Sequence, residues 1–441
     1  MSAAPVAERA AAAKRAARQL ASVPTAVKDR ALRAAADRLD AEAPAVLAAN
    51  AEDVAGARQA VASGALARPL LDRLLLDEAK VRSMAEGVRA VAALPDPSGR
   101  LLARTLLDDG LVLEKVTCPL GVLAVVFESR PDAVPQIAAL ALKSGNAALL
   151  KGGRESARSA AAVLQVFHDA IADFPEIPRA SLQALSGREE VDELLALEND
   201  VDLVIPRGGN DLVRYVRAHT RIPVLGHAEG VCHVYVDRAA DLGKAVEIVL
   251  DAKTTYPAAC NAAETLLVHR AVAPELLAAL APRLRAAGVE VRACATTRLL
   301  APAAGFSPAD TSDFGKEFGA LVLAVKTVGS LDEAIDHVNR FGSRHTDAIV
   351  TADRAAAERF LSEVDAAGVY VNASTRFADG YRYGFGAEVG VSTSKLHARG
   401  PVGLDGLVTT KYRLLGDGHV VATYSGKNAR LFRHERLYPP A

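Results

Sequence analysis

From Gly121 onward the chain changes rhythm: short unbroken apolar runs take turns with amphipathic stretches. "VLAVVF" (122–127), "AALLKGG" (147–153) and "VDLVIPRGG" (201–209) read as buried strands. "PDAVPQIAALALKSG", "ESARSAAAVLQVFHDAIADF" and "NDLVRYVRAHT" read as the helices that follow them. Strands with no polar alternation are buried on both faces, and spacing them with helices demands crossover connections. The pattern therefore specifies an α/β fold with a doubly wound, mainly parallel sheet.

A second series follows. "HVYVD", "ETLLVH", "LVLAVK", "DAIVT" and "GVYVN" have strand character, with helices such as "DLGKAVEIVLDA" and "DRAAAERFLSEVDAAG" between them. Ahead of both, residues 1 to about 95 carry apolar positions three and four apart, the mark of amphipathic helices. Turn residues cluster at "LPDPSG" (94–99), and "LLARTLLDDGLVLEKVTCP" (101–119) reads as a hairpin about an Asp-Asp-Gly turn. The tail "KYRLLGDGHVVATYSGKNARLFRH" alternates and has two Gly turns, as an edge hairpin available to another subunit would.

A chain of 441 residues exceeds one ordinary core. Its 52 basic and 53 acidic residues nearly cancel, which argues against a nucleic-acid or anionic-membrane partner. Apolar runs such as "LGVLAVVF" are too short to span a bilayer. The four cysteines show no C-x-x-C pair, so a reducing cytoplasmic setting is expected, without disulfides or a metal site.

Three polar stretches end strands and so fall at the carboxyl edge of a sheet, where such folds bind ligands. Lys151, Gly152, Gly153 and Arg154 offer bare amides and two cations, suited to a nucleotide phosphate. Arg207, Gly208 and Gly209 form a similar turn, with Asn210 placed to cap the next helix. In "FESRPDAVPQ", Glu128, Ser129, Arg130 and Asp132 crowd the end of a very apolar strand. Each has an ordinary reading as a tight turn or solvated loop, and neither Gly turn has G-x-G-x-x-G spacing.

Cys260, in "TTYPAACNAAETLLVH", falls in a loop among small residues. It is either core filler or a nucleophile; the second requires the thiolate. His227, His233 and His269 lie beside or within strand-like runs and read as core or edge residues rather than a base.

Taken together, "PLGVLAVVFESRPD", "ALKSGNAALLKGG", "IPRGGNDLV", "TTYPAACNAAETLLVH", "TSDFGKEF" and "TSKLHARGPVGL" resemble the aldehyde dehydrogenase superfamily. Within it they resemble the gamma-glutamyl phosphate reductases, also called glutamate-5-semialdehyde dehydrogenases. The resemblance implies two doubly wound parallel-sheet domains with a small β oligomerisation element. A cofactor domain would span 1–226, including a hairpin near 105–118. A catalytic domain would span 227–400, and 401–441 would return to the cofactor domain and form a β oligomerisation tail.

It further implies NADPH-dependent reduction of L-glutamyl 5-phosphate to L-glutamate 5-semialdehyde and phosphate, the second step of proline biosynthesis from glutamate. The family's catalytic cysteine falls on Cys260. Its cofactor turn falls on Lys151 to Arg154, its phosphate-side loop on Arg207 to Asn210, and its nicotinamide-ribose glutamate on Glu317. The Cys260 amide and the segment with Ser129 are candidate oxyanion donors, and Arg130 could hold phosphate or a carboxylate bidentately.

Hydrolytic aldehyde dehydrogenases carry a general-base glutamate where "LGHAEGVCHVYVD" has His227, and an oxyanion asparagine where this chain has Ser129. Loss of the base fits phosphate closing the reverse reaction. Arg154 stands where NAD-preferring relatives carry a carboxylate, which favours NADP(H). The stretch from Tyr412 is similar to the C-terminal half of the bifunctional synthases, which fuse a glutamate kinase to this reductase. A separate glutamate 5-kinase and a homo-oligomer are the partners this implies. A CoA-acylating aldehyde dehydrogenase is the alternative, since it shares the thioester and also lacks a hydrolytic base. A non-catalytic relative would have no need of Cys260, Glu317 and both cationic turns.

Overall fold

A computed structural model of the chain describes residues 4–438 except Ser186, Arg188 and Ala228, with the side chain of Pro69 also outside it. Five helices come first: α1 (Val6–Leu20), α2 (Thr25–Ala41), α3 (Ala43–Ala62), α4 (Arg68–Leu74) and α5 (Glu78–Ala93). The hairpin follows as β1 (Leu101–Asp108) and β2 (Leu111–Pro119), turning at Gly110, whose φ of 74° suits glycine.

The first α/β unit then runs β3 (Val122–Phe127), α6 (Ala133–Ser144), β4 (Ala147–Lys151), α7 (Ala157–Ile171) and β5 (Leu182–Leu185). It ends with α8 (Glu189–Leu195), β6 (Leu203–Arg207) and α9 (Asn210–His219). Its four strands pair in parallel in the order β5-β4-β3-β6. Leu123, Val125 and Phe127 face one core with α2, α5, α6 and α7, while Val122 and Ala124 face another with α1, α8 and α9. Covering both faces of β3 is the reason its sequence lacks polar alternation.

The second unit runs β7 (Cys232–Val236), α10 (Leu242–Thr254), β8 (Ala263–His269), α11 (Ala273–Ala286), β9 (Glu290–Ala293) and α12 (Ala295–Leu300). It continues as β10 (Ser307–Pro308), β11 (Val322–Val328), α13 (Leu331–Phe341), β12 (Thr346–Val350), α14 (Arg354–Glu363) and β13 (Gly368–Val371). These seven strands make a parallel sheet in the order β10-β9-β11-β8-β7-β12-β13.

A two-stranded ribbon, β14 (Val391–Ser392) with β15 (Gly400–Pro401), leads to β16 (Val408–Leu415) and β17 (Glu435–Tyr438). The tail does not close on itself as the expected edge hairpin. Strand β16 lies antiparallel along β2 from Val408 opposite Pro119 to Leu415 opposite Val112, and β17 pairs with β1. Both open edges of the early hairpin offer unpaired ladder groups, and each tail strand satisfies one of them.

His337 on α13 is buried among Phe314, Phe341 and His233, with ring centroids 4.6–5.6 Å away. Burial, and then the neighbouring His233, Lys326 and Arg340, push its pKa down to about 3. The unfolded chain therefore takes up a proton near pH 6.5 that the folded chain refuses until about pH 3. Stability should fall as pH drops through that window, by up to about 1.4 kcal/mol per unit from this group. Urea midpoints measured from pH 7 to pH 4 should decline less steeply in His337→Phe than in wild type.

Candidate active site

Cys260 sits in the loop between α10 and β8. The Ala259 N–H donates to the Tyr256 carbonyl at 3.1 Å and the Ala262 N–H to the Ala259 carbonyl at 2.9 Å. These bonds leave the Cys260 N–H without a hydrogen-bond partner among the described residues. The Thr375 hydroxyl donates to the Asn261 carbonyl at 2.7 Å, and the Asn261 amide donates to the Ala378 carbonyl at 2.9 Å. Gly230 lies against the other side, where a Cβ would stand 2.0 Å from the Cys260 carbonyl oxygen. The Cys232 thiol donates to that oxygen at 3.3 Å, and burial raises its pKa well above the ordinary thiol value.

Two imidazoles flank the sulfur. A nitrogen of His227, a nitrogen of His345 and Cys260 Sγ all lie within 4.8 Å of one another. The His rings meet edge to face at 4.9 Å. His227 Nδ1 bonds the Val391 carbonyl at 3.0 Å; a carbonyl only accepts, so Nδ1 carries the proton and Nε2 is an acceptor. Burial lowers the His227 pKa, against the pull of that carbonyl and of Glu317, so the ring is neutral near pH 7. His345 is 1% exposed; its Nδ1 meets the Thr346 hydroxyl at 2.9 Å and its Nε2 has no partner among the described residues. Sequence reading set His227 aside as a core residue and passed over His345.

The cations converge from two directions. Arg207, at the end of β6, donates to the Glu388 carbonyl at 3.0 Å. Arg376 belongs to the short 3-10 turn Thr375–Phe377. Burial lowers the pKa of both, and a negative Cys260 raises both, which puts each guanidinium within electrostatic reach of the sulfur. Arg376 is 9% exposed and lies over the Tyr256 ring at 5.9 Å; its Nε has no hydrogen-bond partner and it makes no ion pair among the described residues, with Asp251 and Asp379 acting on it only at longer range. Arg130 opens onto a cleft of about 410 Å³ shared with Arg73, Lys80, Asp132, Tyr256 and Ala258.

At the carboxyl edge of β3, Ser129 is buried with φ at +45°, an unusual conformation for a residue with a Cβ. Its N–H and hydroxyl both donate to Glu155 Oε1, at 2.9 and 2.5 Å. Glu128 accepts from the Gly209 N–H at 2.9 Å. The α9 helix is therefore capped by Glu128 with Gly209 at the N-cap, and Asn210 is its first helical residue rather than its cap. A Cβ on Gly208 would stand 2.4 Å from that carboxylate, and one on Gly152 would press the Phe127 ring at 3.1 Å.

Lys151 is buried, and burial lowers its pKa. Arg154 is exposed with no ion-pair partner among the described residues. The turn carries the cations Lys151 and Arg154, with the Glu155 carboxylate lying against Gly153 and Lys151 Nζ donating to the Gly152 carbonyl. Glu317 precedes β11 and raises the pKa of both His227 and Lys253. Its loop is anchored by a fully buried pair, Lys253 Nζ to Glu264 at 2.6 Å, beside the amides of Phe318 and Gly319. Burial pushes Glu264 up and Lys253 down.

The family model of the aldehyde dehydrogenase family matches residues 78–299 and 308–405. A gamma-glutamyl phosphate reductase from Synechococcus sp. (strain JA-2-3B'a(2-13)) is 55% identical over 422 residues, covering 96% of this chain and 92% of its own length. The chain belongs to the aldehyde dehydrogenase family, and within it to the gamma-glutamyl phosphate reductases. A Synechocystis relative, gamma-glutamyl phosphate reductase 1, is 53% identical with 96% of both chains covered. The crystal structure of the Thermotoga maritima gamma-glutamyl phosphate reductase matches with a TM-score of 0.90 at 40% identity, covering 95% of this chain and all of that one. An acetylating aldehyde dehydrogenase from Geobacillus thermoglucosidasius shares the fold, with a TM-score of 0.65 at 18% identity.

Within this aldehyde dehydrogenase fold, Cys260, Arg207 and Glu317 come together with His227, His345 and Arg376. The Lys151–Arg154 turn joins the same region through Glu155 and Ser129. Replacing Gly230 with alanine should push the Cys260 backbone by about an ångström and cut kcat roughly 100-fold, with near-wild-type circular dichroism. Steady-state kinetics checks this directly.

Proposed function

We propose that the chain reduces L-glutamyl 5-phosphate to L-glutamate 5-semialdehyde through a Cys260 thioester, with NADPH as reductant. The observation that carries this reading is the unpaired, nearly buried Arg376 guanidinium beside a cysteine that also has a neutral histidine acceptor. Such a site is built for a nucleophile attacking a group with an anionic leaving group. The names of the relatives support the substrate and the step.

His227 Nε2 takes the thiol proton, and the thiolate attacks the acyl carbonyl. The oxyanion that forms draws on the Cys260 N–H. The carbon–oxygen bond to phosphate then breaks, and Arg376 and Arg207 hold the departing anion. Reduced nicotinamide, when bound, supplies the hydride that turns the thioester carbonyl into a hemithioacetal. Collapse of that group returns the proton from His227 to sulfur and frees the aldehyde. Ser129 holds Glu155 and the cofactor turn in place, Glu317 faces the nicotinamide side, and Arg130 meets the amino-acid end of the substrate in the cleft.

Lys151, Gly152, Gly153 and Arg154 would hold the dinucleotide; the Gly208–Gly209 turn expected to share that task is filled by the Glu128 carboxylate, which leaves Arg207 to the departing phosphate. The free Arg154 cation favours the 2′-phosphate of NADP over the bare ribose of NAD. Exposed Tyr412, Leu414 and Tyr438 on the four-stranded sheet favour a homo-oligomer. A separate glutamate 5-kinase would supply the acyl phosphate. Four free cysteines suit the cytosol, and no helix among the described residues is long and apolar enough to cross a membrane.

Run in reverse with glutamate semialdehyde, wild type should turn over NADP repeatedly only when inorganic phosphate is present, forming no more than about one NADPH per enzyme without it, and Cys260→Ala should form none. Turnover that needs CoA and ignores phosphate would replace this reading with an acyl-CoA chemistry. Arg376→Met should raise the KM for phosphate about 30-fold or more, the loss of a charged hydrogen bond of about 2 kcal/mol, while the KM for NADP stays within about twofold.

A further inference from the structure

We propose that Cys260, His227 and His345 form a reversible inhibitory site for one divalent zinc-like ion, which captures the nucleophile until it is chelated away. The three donor atoms, one sulfur and two nitrogens, lie within 4.8 Å of one another. Zinc bonds of about 2.1 Å to nitrogen and 2.3 Å to sulfur need donor separations near 3.5 Å, so small side-chain rotations close the site.

Two further observations point to a ligand. His345 Nε2 is deeply buried and has no hydrogen-bond partner among the described residues, which a buried polar atom rarely tolerates. His227 donates Nδ1–H to the Val391 carbonyl, the outer hydrogen bond that fixes the tautomer of a metal-bound histidine and presents Nε2.

A thiolate with two imidazoles selects soft and borderline ions over magnesium or calcium. Three protein ligands leave a fourth position for water, as in open zinc sites. As the metal–sulfur bond forms, the thiol proton passes to solvent, and nothing is oxidised. Cys232 is not a fourth ligand: its thiol is turned to the Cys260 carbonyl, to which it donates at 3.3 Å. The site rests on geometry alone and does not depend on which acyl group Cys260 carries.

The test uses the full wild-type chain and iodoacetamide, with alkylation followed peptide by peptide. One equivalent of Zn²⁺ should slow alkylation of Cys260 about tenfold or more, leave the partly exposed Cys118 and Cys294 unchanged, and be reversed by EDTA. Titration with Co²⁺ should give a thiolate-to-cobalt charge-transfer band that is lost in Cys260→Ser. His345→Ala should weaken cobalt binding about tenfold or more. An unchanged Cys260 alkylation rate at one equivalent of Zn²⁺ would overturn the proposal without recourse to any variant. So would a charge-transfer band that persists in Cys260→Ser, or a wild-type cobalt affinity in a folded His345→Ala.

Discussion

Parallel pairing of β8, β7 and β12 is the constraint on which the site depends. In a parallel sheet the loops that enter neighbouring strands share one edge. The register sets Cys232 opposite Ala263 and His233 opposite Asp347. Cys260, His227 and His345 each stand a few residues ahead of those strands, so they meet although as many as 118 positions separate them in sequence. Glu317, ahead of β11 on the far side of β8, extends the same row. Arg207 comes from the opposite kind of edge, the carboxyl end of β6. Chemistry is thus assembled where the exit edge of one sheet meets the entry edge of the other.

Such an edge is backbone-rich, and its loops need anchors. Asn261 and Thr375 hold the nucleophile loop from beneath, and Gly230 holds it from the side by leaving room for nothing else. The Lys253–Glu264 pair does the same for the loop of Glu317. Two fully buried ions add little net stability, because desolvation offsets their attraction. Their value here is placement: losing Lys253 would leave Glu264, its pKa already raised to about 7 by burial, to take up a proton, and the anchor of the Glu317 loop would be lost.

The fold was legible in the sequence for physical reasons, and so was the proposed nucleophile. Doubly covered strands cannot carry polar residues, so β3, β4 and β6 stand out as apolar runs, and glycine at the αL position marks the end of α6 at Gly145. Cys260 was marked by its loop setting and its motif. His227 was aligned with the place of the superfamily's general base but read as a core or edge residue, because a histidine beside a strand-like run looks like core until the neighbouring loops are known. His345 and Arg376 carried no local signal at all. The roles proposed for them rest on strand order and on atoms lacking partners, neither of which a linear spacing records. The tail misled for a related reason: two Gly turns look like a hairpin, yet its strands found better partners in the open edges of β1 and β2.

The central claim is a covalent one, that Cys260 carries the glutamyl group. The most direct measurement mixes the enzyme with glutamate semialdehyde and NADP in the absence of phosphate, quenches in acid, and weighs the Cys260 peptide. A glutamyl thioester on Cys260, discharged by added phosphate, is the expected result. An unmodified Cys260 peptide under conditions where NADPH has formed would contradict it, because the acyl group would then have passed to water or another acceptor without ever resting on sulfur.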